Sequence, residues 1–244
     1  MKDSIMPEIV LVNTQIPENL GSVARVMLNF KLKKLSLVSP FFNLSNEKIL
    51  PLSAGADQVI KNIKEFNSFE DSVKDFNILV GTTNRLRAIK QKQINFKELN
   101  NIIYKSSNKI AIIFGPEKSG LKNEHISICD YVLKINTNPA FSSLNLSHAV
   151  SVVAYEIMKG EKNKEENQIN IKRFKDNRAT KNELLNFLSI LIELLDESKF
   201  FSVKERKKIL VQKINNIFNK IQLTSRELST LLGIIKSLKK NNEK

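Results

Sequence analysis

Short apolar runs alternate with stretches of helical periodicity from residue 8 to about residue 160. EIVLVN (8–13), KLSLVSP (34–40), NILVGTTN (77–84), KIAIIFGPE (109–117) and YVLKIN (131–136) each hold consecutive apolar residues closed by polar, Gly or Pro positions. That is the pattern of strands buried on both faces. Between them, LGSVARVMLNF (20–30) and NFKELNNIIYK (95–105) repeat their apolar residues at helical spacing, and LSAGADQVI (52–60) and Phe66–Phe76 predict short helices. Leu146, Ala149, Val150, Val153, Ala154 and Ile157 predict one more amphipathic helix. The alternation predicts an α/β fold: a mainly parallel sheet with helices on both faces, and ligands bound beyond the carboxyl ends of its strands.

Beyond residue 160 the pattern changes. Residues 161–180 are charged and aperiodic and read as a linker between a first domain, 1–160, and an all-α extension, 181–244. In the extension, Thr180 with Glu183 and Thr224 with Glu227 have capping-box spacing. Leu184, Leu185, Leu188, Leu191, Ile192 and Leu195 form one apolar stripe, and Leu228, Leu231, Leu232, Ile235 and Leu238 another. A helix from about Val203 to Lys220 stands between them, with Lys204, Arg206, Lys207 and Lys208 crowding its start. Those four are either a solvated face or an edge that contacts phosphates.

Charge narrows the class of partner. The chain has 39 Lys and Arg against 25 Asp and Glu, a net charge of +14, which favours a polyanion through phosphate neutralisation. One cysteine, Cys129, read with Ile128 and Tyr131 nearby as a buried structural thiol, excludes an internal disulfide framework and suits a reducing, cytoplasmic compartment. No run is long and apolar enough to cross a bilayer.

Several chemistries are excluded by their missing motifs. There is no Walker A sequence, and no GxGxxG follows the first strand. His125, Cys129 and His148 lack the spacing and the further ligands of a metal site, so no metal is expected. Ser143, His148 and Asp130 could be drawn as a triad, but Ser143 does not sit in GxSxG. What remains is a set of strand-terminal loops: Gly81-Thr82-Thr83-Asn84, Gly115-Pro116-Glu117 and Ile135-Asn136-Thr137. The last leads into NPAFSSLNLSHAV, where Ser142, Ser143 and Asn145 precede a helix that needs one cap. The surplus polar groups suggest a second task.

Three segments together carry a resemblance. PENLGSVARVMLNF (17–30), IIFGPEKSGLKNEHISICD (112–130) and the stretch around SSLNLSHAV are similar, in order and content, to motifs one to three of the SpoU/TrmH class of SPOUT RNA 2'-O-methyltransferases. Within that class the chain most resembles the TrmJ type, which acts on the ribose of cytidine or uridine 32 in the tRNA anticodon loop. Residues 1–160 carry the match, including GTTNRLR (81–87), and it continues more faintly in the extension.

The resemblance implies a trefoil-knotted SPOUT sheet, a homodimer, a tRNA substrate and S-adenosylmethionine as cofactor. Carried onto this sequence, cofactor contacts are Thr82, Thr83, Asn84, Gly115, Ile135, Leu144 and Asn145. Catalytic positions are Arg25 and Ser143, with Asn19 and Glu117 as the polar residues of motifs one and two, in a catalytic role or as supports of the knot. Arg25 either removes the ribose proton, assisted by Ser143, or clamps a neighbouring phosphate, because a guanidinium resists deprotonation. Arg85 and Arg87 are the implied RNA contacts. The extension would bind tRNA or serve the dimer, although Asn215, Asn216 and Lys220 stand where relatives tend to have arginines. A ribosomal RNA substrate, and a non-catalytic RNA-binding module of the same fold, are the alternatives.

Overall fold

The computed structural model describes residues 6–84, 91–105, 107–166, 178–201 and 204–242. Its elements run β1 (Glu8–Val12), α1 (Pro17–Asn29), β2 (Leu35–Val38), α2 (Leu50–Ser53), α3 (Asp57–Lys61), β3 (Lys64–Phe66), α4 (Phe69–Val73), β4 (Ile78–Thr82), β5 (Lys92–Ile94), α5 (Phe96–Lys105), β6 (Ile110–Phe114), α6 (Asn123–Ile128), β7 (Tyr131–Leu133) and α7 (Leu146–Glu166). The extension follows as α8 (Lys181–Glu197), α9 (Lys204–Ile221) and α10 (Ser225–Asn242).

The seven strands form one parallel sheet in the order β3-β2-β1-β6-β4-β7-β5. Alternate residues of each strand enter opposite layers, which is why the central strands are apolar throughout. Ile9 and Leu11 of β1, with Ile112 and Phe114 of β6, pack under Leu20, Val23 and Met27 of α1 and Val150, Val153 and Ile157 of α7. Val10 and Val12, with Ala111 and Ile113, face Phe69, Val73, Leu121, Ile126 and Cys129 on the other side. Cys129 is the buried structural thiol expected; its Sγ donates to the His125 carbonyl at 3.3 Å, and burial pushes its pKa up to about 12.

Two strands escape the hydrophobic pattern. β3 (KEF) and β5 (KQI) are three-residue edges whose first two residues are exposed, so a single apolar residue in each, Phe66 or Ile94, turns inward and no apolar run marks them. The helix that begins at Leu146 also outlasts its apolar stripe and continues through Gly160 to Glu166. A Cβ at Gly160 would meet the Asn100 side chain at 2.4 Å, so this glycine lets α7 and α5 approach rather than ending the helix. Asn100 Nδ2 and the Tyr104 hydroxyl donate to the carbonyls of Glu156 and Ile157 across that contact, at 3.0 and 2.7 Å.

The extension builds its own core from Leu184, Phe187, Leu188 and Leu228, with Ile214, Phe218, Leu231, Leu232 and Ile235 packed against them. Both capping boxes form: Thr180 accepts from Glu183 N while Glu183 Oε2 accepts from Thr180 N, and Thr224 and Glu227 repeat the exchange. Leu238 is 60% exposed, because the apolar cluster ends at Ile235. A polar seam joins the extension to the sheet domain. Lys181 and Asn182 donate their backbone N–H groups to the carbonyls of Phe76 and Lys74, and Asn77 Nδ2 donates to the Arg178 carbonyl. The buried Lys181 ammonium reaches Asp130 at 2.8 Å and Asn219 at 2.9 Å.

Candidate active site

The loops after β4, β6 and β7 meet at one end of the sheet around a cavity of about 370 Å³. Thr82 ends β4 with its hydroxyl on the Ile113 carbonyl at 2.9 Å, and Thr83 N donates to the Leu133 carbonyl at 3.2 Å, so the first loop is held by both neighbouring strands. Asn84 Nδ2 then donates to the Ser142 carbonyl at 2.8 Å and to Thr137 Oγ1 at 3.0 Å, closing the first loop onto the third. Residues 85–90 follow Asn84, so the contacts expected of Arg85 and Arg87 lie outside the described residues.

The loop after β6 is folded tightly enough to demand glycine. A Cβ at Gly115 would lie 2.2 Å from Leu121 N and 2.3 Å from Gly120 C, and Gly120 itself has φ +63°. Gly120 N donates to the Pro116 carbonyl at 2.8 Å, completing the turn.

Glu117 is turned toward α1. Its carboxylate accepts from the backbone N–H of Gln15 at 3.0 Å and, more weakly, of Ile16 at 3.4 Å, and from Asn19 Nδ2 at 2.7 Å. No side chain of α1 caps its own start, so a residue from another loop does so, with its negative charge at the favourable end of the helix dipole. Asn19 passes the connection on, because its Oδ1 accepts from Asn145 Nδ2 at 2.9 Å. Asn145 Oδ1 in turn accepts from the Ser147 N–H and hydroxyl, both at 2.8 Å, which makes Asn145 the N-cap of α7. One chain of hydrogen bonds therefore ties the starts of α1 and α7 to the loop after β6.

Of the residues expected to touch a cofactor, Thr82, Thr83, Asn84, Gly115, Ile135 and Leu144 line the cavity, as do Ser143 and Glu117. Asn145 does not, because its amide is committed to the cap and to Asn19. Asn19 stands behind Glu117 in the relay. Arg25 lies apart: it is exposed on α1, outside the cavity, and makes no hydrogen bond or ion pair among the described residues. Thr137, named in the sequence only as part of its loop, also lines the cavity, its hydroxyl donating to the Ser142 carbonyl at 3.2 Å; sequence reasoning missed Lys118 and Gly120, which line it too. The lysine and glycine lay in the quoted second motif but carried no chemical signal of their own. The triad drawn on paper is dispersed, since Asp130 is paired with Lys181 and His148 is exposed.

Residues 6–155 match the SpoU rRNA methylase family, and they include every cavity-lining residue. The chain belongs to the SpoU rRNA methylase family. Its similarity to individual proteins reaches beyond those residues. A tRNA (cytidine/uridine-2'-O-)-methyltransferase TrmJ of Escherichia coli K12 is 31% identical over 96% of this chain and 96% of its own. The crystal structure of TrmJ from Z. mobilis ZM4 superposes with a TM-score of 0.87 at 30% identity, covering 96% of this chain and 99% of the other. A shorter solved structure, concerned with 2-OH methylation of C/U34 on tRNA, is 25% identical with a TM-score of 0.54; it covers 65% of this chain and 97% of its own.

Proposed function

We propose that this chain is an S-adenosylmethionine-dependent tRNA 2'-O-ribose methyltransferase acting on cytidine or uridine 32 of the anticodon loop. The observation that carries the reading is the cavity, assembled at the strand ends from three separated loops in a chain similar to the TrmJ enzymes along nearly its whole length. The C/U34 relative covers only 65% of this chain, so the α-helical extension sets the TrmJ-type reading apart from it.

The cavity suits an amphipathic cofactor. Ile135, Leu144, Leu146 and Ala149 offer apolar surface for an adenine ring, and Thr83, Asn84 and Thr137 offer polar groups for ribose hydroxyls. When bound, S-adenosylmethionine supplies an electrophilic methyl group on a sulfonium and leaves as a neutral thioether, so the ribose 2'-oxygen gains a C–O bond and loses its proton. Thr82, Thr83, Asn84, Gly115, Ile135 and Leu144 would surround the cofactor as lining residues of the cavity. Asn145, Asn19 and Glu117 act as positioning residues: their relay fixes where the third loop stands against the second. Ser143, with its side chain at the cavity, orients the 2'-hydroxyl or the group that takes its proton.

Arg25 supplies either that proton acceptor or a clamp on the adjacent phosphate, and its place outside the cavity of its own subunit supports a homodimer in which one subunit completes the other's site. Exposed apolar residues Ile16, Phe141, Val152 and Tyr155 near the starts of α1 and α7 and along α7 support the same assembly. Arg85 and Arg87 act as RNA contacts beside the first loop. A tRNA substrate and a reduced, buried Cys129 support a cytoplasmic compartment.

Nucleoside mass spectrometry of tRNA incubated with protein and methyl donor tests the reading, with position mapping by fragment analysis. Ribose methylation at nucleotide 32 is expected. Methylation confined to nucleotide 34 or to ribosomal RNA would move the substrate, and binding of tRNA without any methylation would leave a non-catalytic module.

A further inference from the structure

We propose that the groove between the loop after β6 and helix α9 carries the sugar-phosphate backbone of the RNA strand flanking the methylated nucleotide. This rests on the RNA methyltransferase reading above and adds to it a track for the substrate. The groove encloses about 390 Å³ and is lined from one side by Ser119–Glu124 and from the other by Lys208 and Gln212.

The sequence of α9 explains why a groove exists there. Lys208, Gln212, Asn215, Asn216 and Asn219 recur at helical spacing, so the whole stripe that α9 turns to the sheet domain is polar, while Ile214 and Phe218 face the core of the extension. The distal end of the stripe is docked. Asn219 Nδ2 donates to the Ser127 carbonyl at 2.8 Å, its Oδ1 accepts from Lys181, and Asn216 pairs with Gln91. This also accounts for Asn216, one of the residues found where relatives tend to have arginines: it is used against the body of the protein. At the proximal end, Lys208 and Gln212 face a lining that is polar apart from Gly120 and Leu121, so the space suits water or a polar ligand.

Charge and lining select the ligand. Lys208 has no ion pair among the described residues. Lys122 meets Glu124 at 3.5 Å, but both side chains are more than half exposed and such a pair is weak. The lining holds no aromatic residue on which a base could stack, so contact is to phosphate and ribose and is independent of sequence. Gly120 lines both this groove and the cavity of the candidate active site, so the loop after β6 borders the two. A strand whose 2'-hydroxyl reaches the cavity would run its flanking phosphates along that loop toward the groove.

The test compares the parent chain with Lys208→Glu and with Gln212→Lys, using tRNA transcript binding across a salt series and methyl-donor binding by calorimetry. Lys208→Glu is expected to weaken tRNA binding roughly tenfold and to lower the slope of log affinity against log salt by about 1, and Gln212→Lys to tighten binding and raise the slope by about 1. Donor affinity is expected to stay at the parent value in both. Opposite shifts in two variants exclude misfolding as the cause. Parent-like affinity and slope in both variants would overturn the proposal. If the parent binds tRNA but methylates none, the enzymatic reading fails and the binding comparison still decides the groove; if the parent binds no RNA, both are overturned.

Discussion

Asn145 donates from its side-chain amide to Asn19 Oδ1 at 2.9 Å, across 126 residues of chain, while its own Oδ1 caps α7. One side chain thereby registers the loop that carries Ser143 and Leu144 against α1. Asn145→Ala removes both functions and is expected to cost about 1–2 kcal/mol. Asn145→Asp keeps the cap acceptor and loses only the donor to Asn19, so it should be the milder change. Chemical denaturation of both variants measures this, and equal losses would mean that the cap is not the dominant role.

The buried Lys181–Asp130 pair predicts a large stability effect. Asp130 precedes β7 and also accepts from Leu79 N at 2.7 Å, so it is held by the sheet and by the extension at once. Lys181→Met strands a buried carboxylate and is expected to destabilise by about 3–5 kcal/mol. Lys181→Met combined with Asp130→Asn should cost clearly less than the sum of the two single changes. Additive losses in the double-mutant cycle would mean that the two side chains do not interact.

Arg25 makes a kinetic prediction. Because it stands outside its own cavity, Arg25→Ala is expected to lower kcat by about 100-fold or more with donor affinity within about twofold of the parent. Mixing Arg25→Ala with Ser143→Ala subunits should restore part of the activity if each site draws on both subunits. No recovery in mixed dimers would confine the site to one chain.

His125 gives the pH dependence. Burial lowers its pKa below the ordinary 6.5, against the weaker opposing effect of Glu124, and its ring packs on Phe69 at 4.7 Å. Below pH 6.5 the unfolded chain takes up this proton before the folded one does. The stability contributed by the neutral ring is therefore complete above that pH and declines as pH falls toward the folded pKa. Urea titrations between about pH 7 and pH 5 should show His125→Phe losing less stability on acidification than the parent. Parallel pH curves would remove His125 as the cause.

Local patterns determined much of this protein. The central strands, the long helices, both capping boxes and the buried Cys129 all follow from short-range periodicity and cap chemistry, which a sequence carries in contiguous residues. Most of the cavity was legible too, because three loops end strands whose carboxyl ends a parallel sheet brings to one side. The tertiary structure alone decided how the polar residues of those motifs are spent. Glu117 caps a helix to which it is not adjacent in sequence, Asn145 holds α7 and Asn19 instead of lining the cavity, and the asparagines of α9 dock against the sheet domain. β3 and β5 likewise exist only because an edge of the sheet recruits charged tripeptides through backbone hydrogen bonds. A hydrogen bond is short and directional, so its partner is set by the packing that brings two distant groups within about 3 Å, and that packing is not encoded at either residue alone.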